Sequence, residues 1–313
     1  MQGEKIFQSI LVPLDGSRLA ESALTTAVWL ARKLDAGMTL VHVIEKNAPR
    51  EIHSERHLVK AEEAAAYLEE VSRRPELSGL RVNTHVHTTE VSDVARSISE
   101  HSVELAPDLI VMCTHGNGGI RSFLFGAIAQ QVTSLGSTPV LIVHPSKEPQ
   151  VVGAEGDFKT ILAPIDGDPS HEKGLPLASQ IAQVFKSRLH LLMVVPELRD
   201  LTGPKAATSL ILPGAMRADL EMEIADARTH LDERVAELSR KGISVASDTS
   251  RGDPARAIIE AARRLSADLV VMATHGRTGT EAFWERSVAA RVVSHIKAPL
   301  LMVPLNRGDD STV

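Results

Sequence analysis

Two short segments carry residues whose types and spacing could do chemistry: one could hold an anion, the other could cap a helix. One reads Cys113-Thr114-His115-Gly116-Asn117-Gly118-Gly119-Ile120, with Gly126-Ala127-Ile128 following. Glycines let backbone N–H groups approach a ligand closely. A helix starting just after them adds partial positive charge, so the arrangement suits a phosphate. No Gly-Lys-Ser/Thr occurs there, so it is not a Walker-type loop. Nor is it the dinucleotide fingerprint, because these glycines follow the fourth strand-like run rather than the first. The same residues could serve equally as turn glycines and a helix cap. The other segment, Pro13-Leu14-Asp15-Gly16-Ser17, sets a carboxylate and a hydroxyl just beyond an apolar run, where either could cap a helix.

The remaining candidate groups are weaker. His53 and His57 are four apart in a stretch read as helix, and His85 and His87 share one face of a strand. Both spacings could bind a metal, but neither comes with a cysteine or a clear carboxylate set, so solvated histidines and no metal are expected. Cys113 is the single cysteine. It excludes an internal disulfide and a cysteine zinc cage, and fits a reducing compartment. A buried inert thiol is the expectation, a redox sensor the minority alternative. No lysine or general base is placed for in-line attack on a phosphate, so no catalytic residue is assigned and at most weak hydrolysis is expected.

The elements that must position these residues come from a repeat. Ser9-Ile-Leu-Val-Pro-Leu-Asp-Gly16 recurs as Thr160-Ile-Leu-Ala-Pro-Ile-Asp-Gly167. Asp108-Leu-Ile-Val-Met-Cys-Thr-His-Gly116 recurs as Asp268-Leu-Val-Val-Met-Ala-Thr-His-Gly276, and Pro139-Val-Leu-Ile-Val143 as Pro299-Leu-Leu-Met-Val303. A period of half the chain means two copies of one domain rather than a solenoid. The expected domains are residues 1–145 and 158–306, with a linker at 146–157 and a disordered tail at 307–313. Each copy alternates strands and helices. In the first, strands at Ser9–Leu14, Met38–Ile44, Arg81–His87, Leu109–Cys113 and Val140–Val143 are expected. Helices are expected at Ser17–Leu34, from about Arg50 to Arg74, at Ser92–Leu105 and at Ser122–Leu135. Runs 1, 4 and 5 are continuously apolar, so both faces of their sheet are covered. The fold class is α/β: two tandem doubly wound parallel five-stranded sheets with helices on both faces. Ligands of such sheets sit at the carboxyl ends of the strands, where strand order reverses. Leu201–Gly214 has no equally long counterpart in the first copy and reads as a lid, an interface patch or a packed loop.

Composition narrows the partners. The 313 residues are 43% hydrophobic and 24% charged, an ordinary globular balance. Aromatics are only 3% and the net charge is −6, which speaks against nucleic acid. The amino-terminal residues lack the apolar stretch of a signal peptide, and no run of about 18 apolar residues occurs, so a cytoplasmic protein without a membrane partner is expected.

The strand ending in Pro-x-Asp-Gly, the late Thr-His-Gly loop and the closing Pro-Val-Leu-Ile-Val strand together resemble the universal stress protein family. The resemblance covers essentially the whole of both halves, and a tandem form is known in that family. Its nucleotide-binding members carry Gly-x-x-Gly, nine residues, then Gly-Ser/Thr. In the first half Cys113 stands at the first of these glycines, Gly116 and Gly126 fit the next two, and Ala127 replaces the hydroxyl residue. In the second half Ala273 and Arg286 replace glycines, while Gly276 and Ser287 fit. A missing neutral hydrogen bond weakens binding by about 0.5–1.5 kcal/mol, so the first half reads as the better site. Arg286 could block the second site or pair with a phosphate. The resemblance implies that Pro13, Leu14 and Asp15 face the adenine and ribose, and that Val41 and Val43 line the base. Met112, Cys113, His115, Gly116, Gly126, Ala127 and Ile128 would line the ribose and phosphates. The second-half counterparts are Pro164, Asp166, Val194, Met272, His275, Gly276, Arg286 and Ser287. It implies a stress-response regulatory protein that binds ATP, with AMP and ADP left open; a nucleotide-free interaction protein and a slow ATPase are the alternatives. It further implies that the last strands of the two halves pair with each other, with a homodimer open.

Overall fold

The computed structural model describes residues 6–48, 51, 52, 55–113, 123–144, 158–168, 172–201, 203–275 and 288–305. The chain divides into two compact units, one of residues 1–156 with 274–278 and 301–313, the other of residues 157–273 with 279–300. The first unit runs β1 (Ser9–Pro13), α1 (Arg18–Leu34), β2 (Gly37–Glu45), β3 (Glu51–Ile52), β4 (Glu55–Arg56) and α2 (Ala61–Ser72). It continues with β5 (Val82–Val91), α3 (Val94–Glu104), β6 (Leu109–Cys113), α4 (Phe123–Leu135) and β7 (Val140–Val143). Its main sheet has the order β7-β6-β1-β2-β5. Every neighbouring pair in it is parallel. Ile10, Leu11 and Val12 of β1 are wholly buried, as a strand covered on both faces requires.

Helix α1 starts where its sequence says it should. The Ser17 hydroxyl accepts the Ala20 amide at 3.1 Å, satisfying one of the donors a helix start leaves open. Ala23, Ala27, Leu30 and Ala31 then form its buried stripe. The start of β1 is held from a distance: the Asp108 carboxylate accepts the backbone N–H groups of Gln8 at 2.6 Å and Ser9 at 3.1 Å. The second copy repeats the device, with Asp268 accepting from Lys159 at 2.9 Å and Thr160 at 2.8 Å.

The second unit runs β8 (Thr160–Pro164), α5 (Gly174–Phe185), β9 (Arg188–Val195), α6 (Gly203–Ile211) and α7 (Pro213–Arg240). It continues with β10 (Ser244–Arg251), α8 (Pro254–Arg264), β11 (Leu269–His275) and α9 (Val288–His295); the last strand, β12 (Leu300–Leu305), belongs to the first unit from Leu301 onward. Strands β10, β9, β8 and β11 lie side by side and parallel. The Val270 amide donates to the Pro299 carbonyl just before β12, as the Ile110 amide does to Pro139 just before β7.

Two expectations need correction. The long helix expected from Arg50 to Arg74 is shorter: β3 and β4 form an antiparallel pair, and α2 begins only at Ala61. Ala61–Glu70 is built almost wholly of alanine and glutamate, whereas Ile52, His53, Ser54, His57 and Val59 interrupt the helix formers that precede it. Leu201–Gly214 is also more ordered than a loop, since α6 occupies Gly203–Ile211 and Pro213 opens α7, where a missing N–H costs nothing. Leu210, Ile211 and Leu212 stay exposed there.

Candidate functional site

Strand order reverses at β1, which has β2 on one side and β6 on the other. The carboxyl ends of β1, β2 and β6 therefore open a crevice. A cavity lies there, enclosing about 100 Å³. Pro13, Leu14, Asp15, Val41, Val43, Met112, Cys113 and Ile128 all line it. That volume is below the roughly 300–1,000 Å³ of sites for drug-sized ligands. His115 and Gly116 lie outside the described residues. Gly126 and Ala127 fall in the first turns of α4.

Asp15 does local work. Its Oδ1 accepts the Ser17 amide at 2.9 Å and the Ser17 hydroxyl at 2.6 Å. Gly16 between them has φ 91°, a conformation that L side chains resist. The carboxylate thus fixes the serine that caps α1 and still borders the cavity.

The cavity also has walls that the sequence did not flag. His42, Glu45 and His57 line it, as do Val94 and Ile98 from α3. His42 is the one polar residue in the run Leu40–Ile44, which was the available signal. It is 1% exposed, with Nδ1 2.7 Å from the Leu14 carbonyl and Nε2 3.1 Å from the Leu58 carbonyl. Burial holds it below the ordinary histidine value, although both carbonyls pull the other way. His57 follows β4 rather than sitting on a helix with His53, which lies outside the described residues. It is buried, with Nε2 3.9 Å from Glu45 Oε2.

His85 and His87 are half-buried rather than fully solvated. Both rings pack on His101 of α3, with centroids 4.6 and 4.8 Å apart. His101 Nδ1 is 3.0 Å from Glu104 and its Nε2 is 2.9 Å from His87 Nδ1. With His101 Nδ1–H donating to the Glu104 carboxylate, His101 Nε2 is left to accept from His87 Nδ1–H. Among the described residues no group of three or more histidines, cysteines or carboxylates is arranged to hold a metal ion.

In the second unit, Pro164 ends β8 and Asp166 Oδ1 accepts the Asp168 amide at 3.1 Å. Val194 lies in β9, Met272 is buried in β11, and His275 ends β11. Gly276, Arg286 and Ser287 lie outside the described residues. Strand register sets Met193 where the first unit has His42.

The universal stress protein family matches the chain over residues 7–144 and again over residues 157–304. The chain belongs to this family. A universal stress protein of Mycolicibacterium smegmatis is 26% identical over 308 residues, covering 94% of this chain and 96% of its own length. One from Methanocaldococcus jannaschii is 32% identical over 154 residues, covering 47% of this chain and 88% of its own length. Among solved structures, a universal stress protein from Archaeoglobus fulgidus has a TM-score of 0.70 at 17% identity, covering 97% of this chain and 98% of that one. At that identity the likeness shows the fold, an α/β unit in tandem. No helix among the described residues is long and apolar enough to cross a membrane.

Cys113 in this universal stress protein is a poor nucleophile. Burial pushes its thiol up to about 11, with Ser22 Oγ 2.9 Å from Sγ. Two units above the ordinary value of 9.0 leave on the order of 100-fold less thiolate. Iodoacetamide at pH 7.5 is therefore expected to label the folded chain far more slowly than the urea-unfolded chain, followed by mass spectrometry. Equal rates would make the thiol a reactive sensor after all.

Proposed function

We propose that this chain is a regulatory protein of the stress response that binds an adenine nucleotide, ATP first among them, in its first unit. The observation that carries the reading is the cavity at the carboxyl ends of β1, β2 and β6. Eight residues chosen from sequence for a nucleotide line it together. Membership of the family supports it. In this reading the base lies against Val41, Val43 and Met112, because few aromatic rings exist to stack on. The phosphates extend toward the glycine-rich segment after β6, where backbone N–H groups meet the negative charge. The protein works in the cytoplasm, and binding rather than turnover is its task.

Calorimetric titration of the full chain with ATP, ADP and AMP tests this. Saturable heat is expected, and Ile128→Trp, which fills the cavity, is expected to weaken ATP binding tenfold or more, about 1.4 kcal/mol. No heat at millimolar ATP from a folded protein overturns the reading in favour of a nucleotide-free interaction protein.

A further inference from the structure

We infer that His42 is a proton-operated strut of the first-unit cavity, a positioning residue that ties ligand binding there to proton uptake. The inference rests on the nucleotide reading above and adds to it how the site is regulated.

The geometry is the starting point. Both ring nitrogens of His42 face carbonyl oxygens, Leu14 at 2.7 Å and Leu58 at 3.1 Å. A neutral imidazole carries one N–H, so it serves one of them and turns a lone pair on the other; only the imidazolium donates to both. The two carbonyls belong to different walls. Leu14 precedes Asp15 at the end of β1. Leu58 is anchored in a small apolar cluster with Ile44 and Ala64, against which Tyr67 and Val86 pack. The residue before it, His57, lines the cavity. A charged His42 therefore braces the His57 wall against the end of β1, and a neutral one holds a single side.

The groups facing the ring set the sign. Asp15 from the end of β1 favours its charge and His57 opposes it, its ring centroid 6.4 Å away. Glu45 of β2 and Cys113 of β6 complete the titratable lining. Burial disfavours the charge and outweighs the groups that favour it, holding His42 below the ordinary histidine value. A nucleotide with its base in the cavity and its phosphates toward the end of β6 adds negative charge beside the site and favours the imidazolium. By linkage, binding takes up a proton and tightens as the pH falls. The second unit has Met193 at this register position, a side chain with no proton to gain.

The test compares the full-length wild type with His42→Gln and with His42→Met, the residue the second copy carries there. ATP is titrated by calorimetry between pH 8 and 5.5 in buffers of low and high ionisation heat. ATP itself titrates in this range, so the difference between wild type and variant is the readout. Wild type is expected to gain roughly tenfold more affinity than either variant across the range and to take up more protons, the effect of about one unit of pKa change on binding. In NMR, the His42 ring signal is expected to titrate at higher pH with ATP than without. Superimposable pH profiles, or a His42 titration that ATP does not move, overturn the strut. If ATP gives no heat with any of the proteins, the nucleotide reading fails by itself. The strut is then judged in the free wild type, where the Leu58 carbonyl carbon signal must follow the His42 titration; if it does not follow, the strut fails too.

Discussion

Asp108→Ala is expected to lower the stability of the chain by about 2–3 kcal/mol, the range for lost hydrogen bonds to a charged acceptor. The carboxylate takes two consecutive backbone N–H groups at the start of β1, and the Asp108 amide returns a bond to the Ser9 carbonyl at 3.0 Å. β1 is the central strand of its unit and ends at the candidate site, so loosening its start reaches Pro13 at its end and Asp15 just beyond. Alanine removes both acceptor positions. Asparagine retains one oxygen without the charge and is expected to recover about half of the loss. The second copy supplies an independent repeat, because Asp268 holds Lys159 and Thr160 in the same way. Thermal melts followed by circular dichroism should show a drop of several degrees for either alanine variant, since each kcal/mol moves the midpoint by roughly 2–4 °C at this size. A midpoint within one degree of wild type would show that water replaces the carboxylate at no cost. The sequence repeat pointed at both aspartates, but their role became visible only when the strand order brought residue 108 beside residue 8.

That contrast holds across the molecule. Leu109–Cys113 and Val140–Val143 were legible to the residue because unbroken apolar runs between polar boundaries leave few other readings. The fold class followed from those runs, the repeat and the family resemblance. The switch-point rule pointed to Asp15 and the family resemblance named Pro13, Met112 and Cys113, and all four line one cavity. His42 was not, because a histidine inside a strand carries no signal of what its two nitrogens will meet. Its partner Leu58 lies beyond a hairpin that the helix-like composition of Ala61–Glu70 concealed. His85 and His87 were seen as a pair, but His101 came from a different element, and ring packing depends on the distance between β5 and α3. The copies also diverged here: strand register sets Asp248 where the first unit has His85, and Asp248 pairs with Arg264 at 2.8 Å and His190 at 3.1 Å. A permanent ion pair thus replaces a ring cluster, and pattern alone could not tell which of the two responds to pH.

Acidification from pH 7.5 to 5 is expected to destabilise the chain. Burial is the first cause of a lowered value for His42, His85 and His144 in the first unit, and at His85 the neighbouring His101 and His87 add to it. Such a group binds its proton less readily folded than unfolded, so between the two values the unfolded chain holds more protons and stability rises with pH. The contribution is complete above the ordinary histidine value of 6.5 and is lost as the pH falls from there through the folded value. Carboxylates do not produce the same window. Asp253, held below its ordinary 3.8 by the Arg291 hydrogen bonds, contributes throughout and loses its share only near pH 4 and below. His190 in the second unit is also lowered by burial, but Asp248 pulls it back toward the charged form. The loss between pH 7 and 5 therefore falls mainly on the first unit. Urea unfolding at pH 7.5, 6.5, 5.5 and 5.0 should show midpoints that decline on acidification, and His85→Gln should flatten the decline because glutamine does not titrate. Midpoints constant over this range, or a His85→Gln profile parallel to wild type, would mean that the buried rings open to water before they take up their protons.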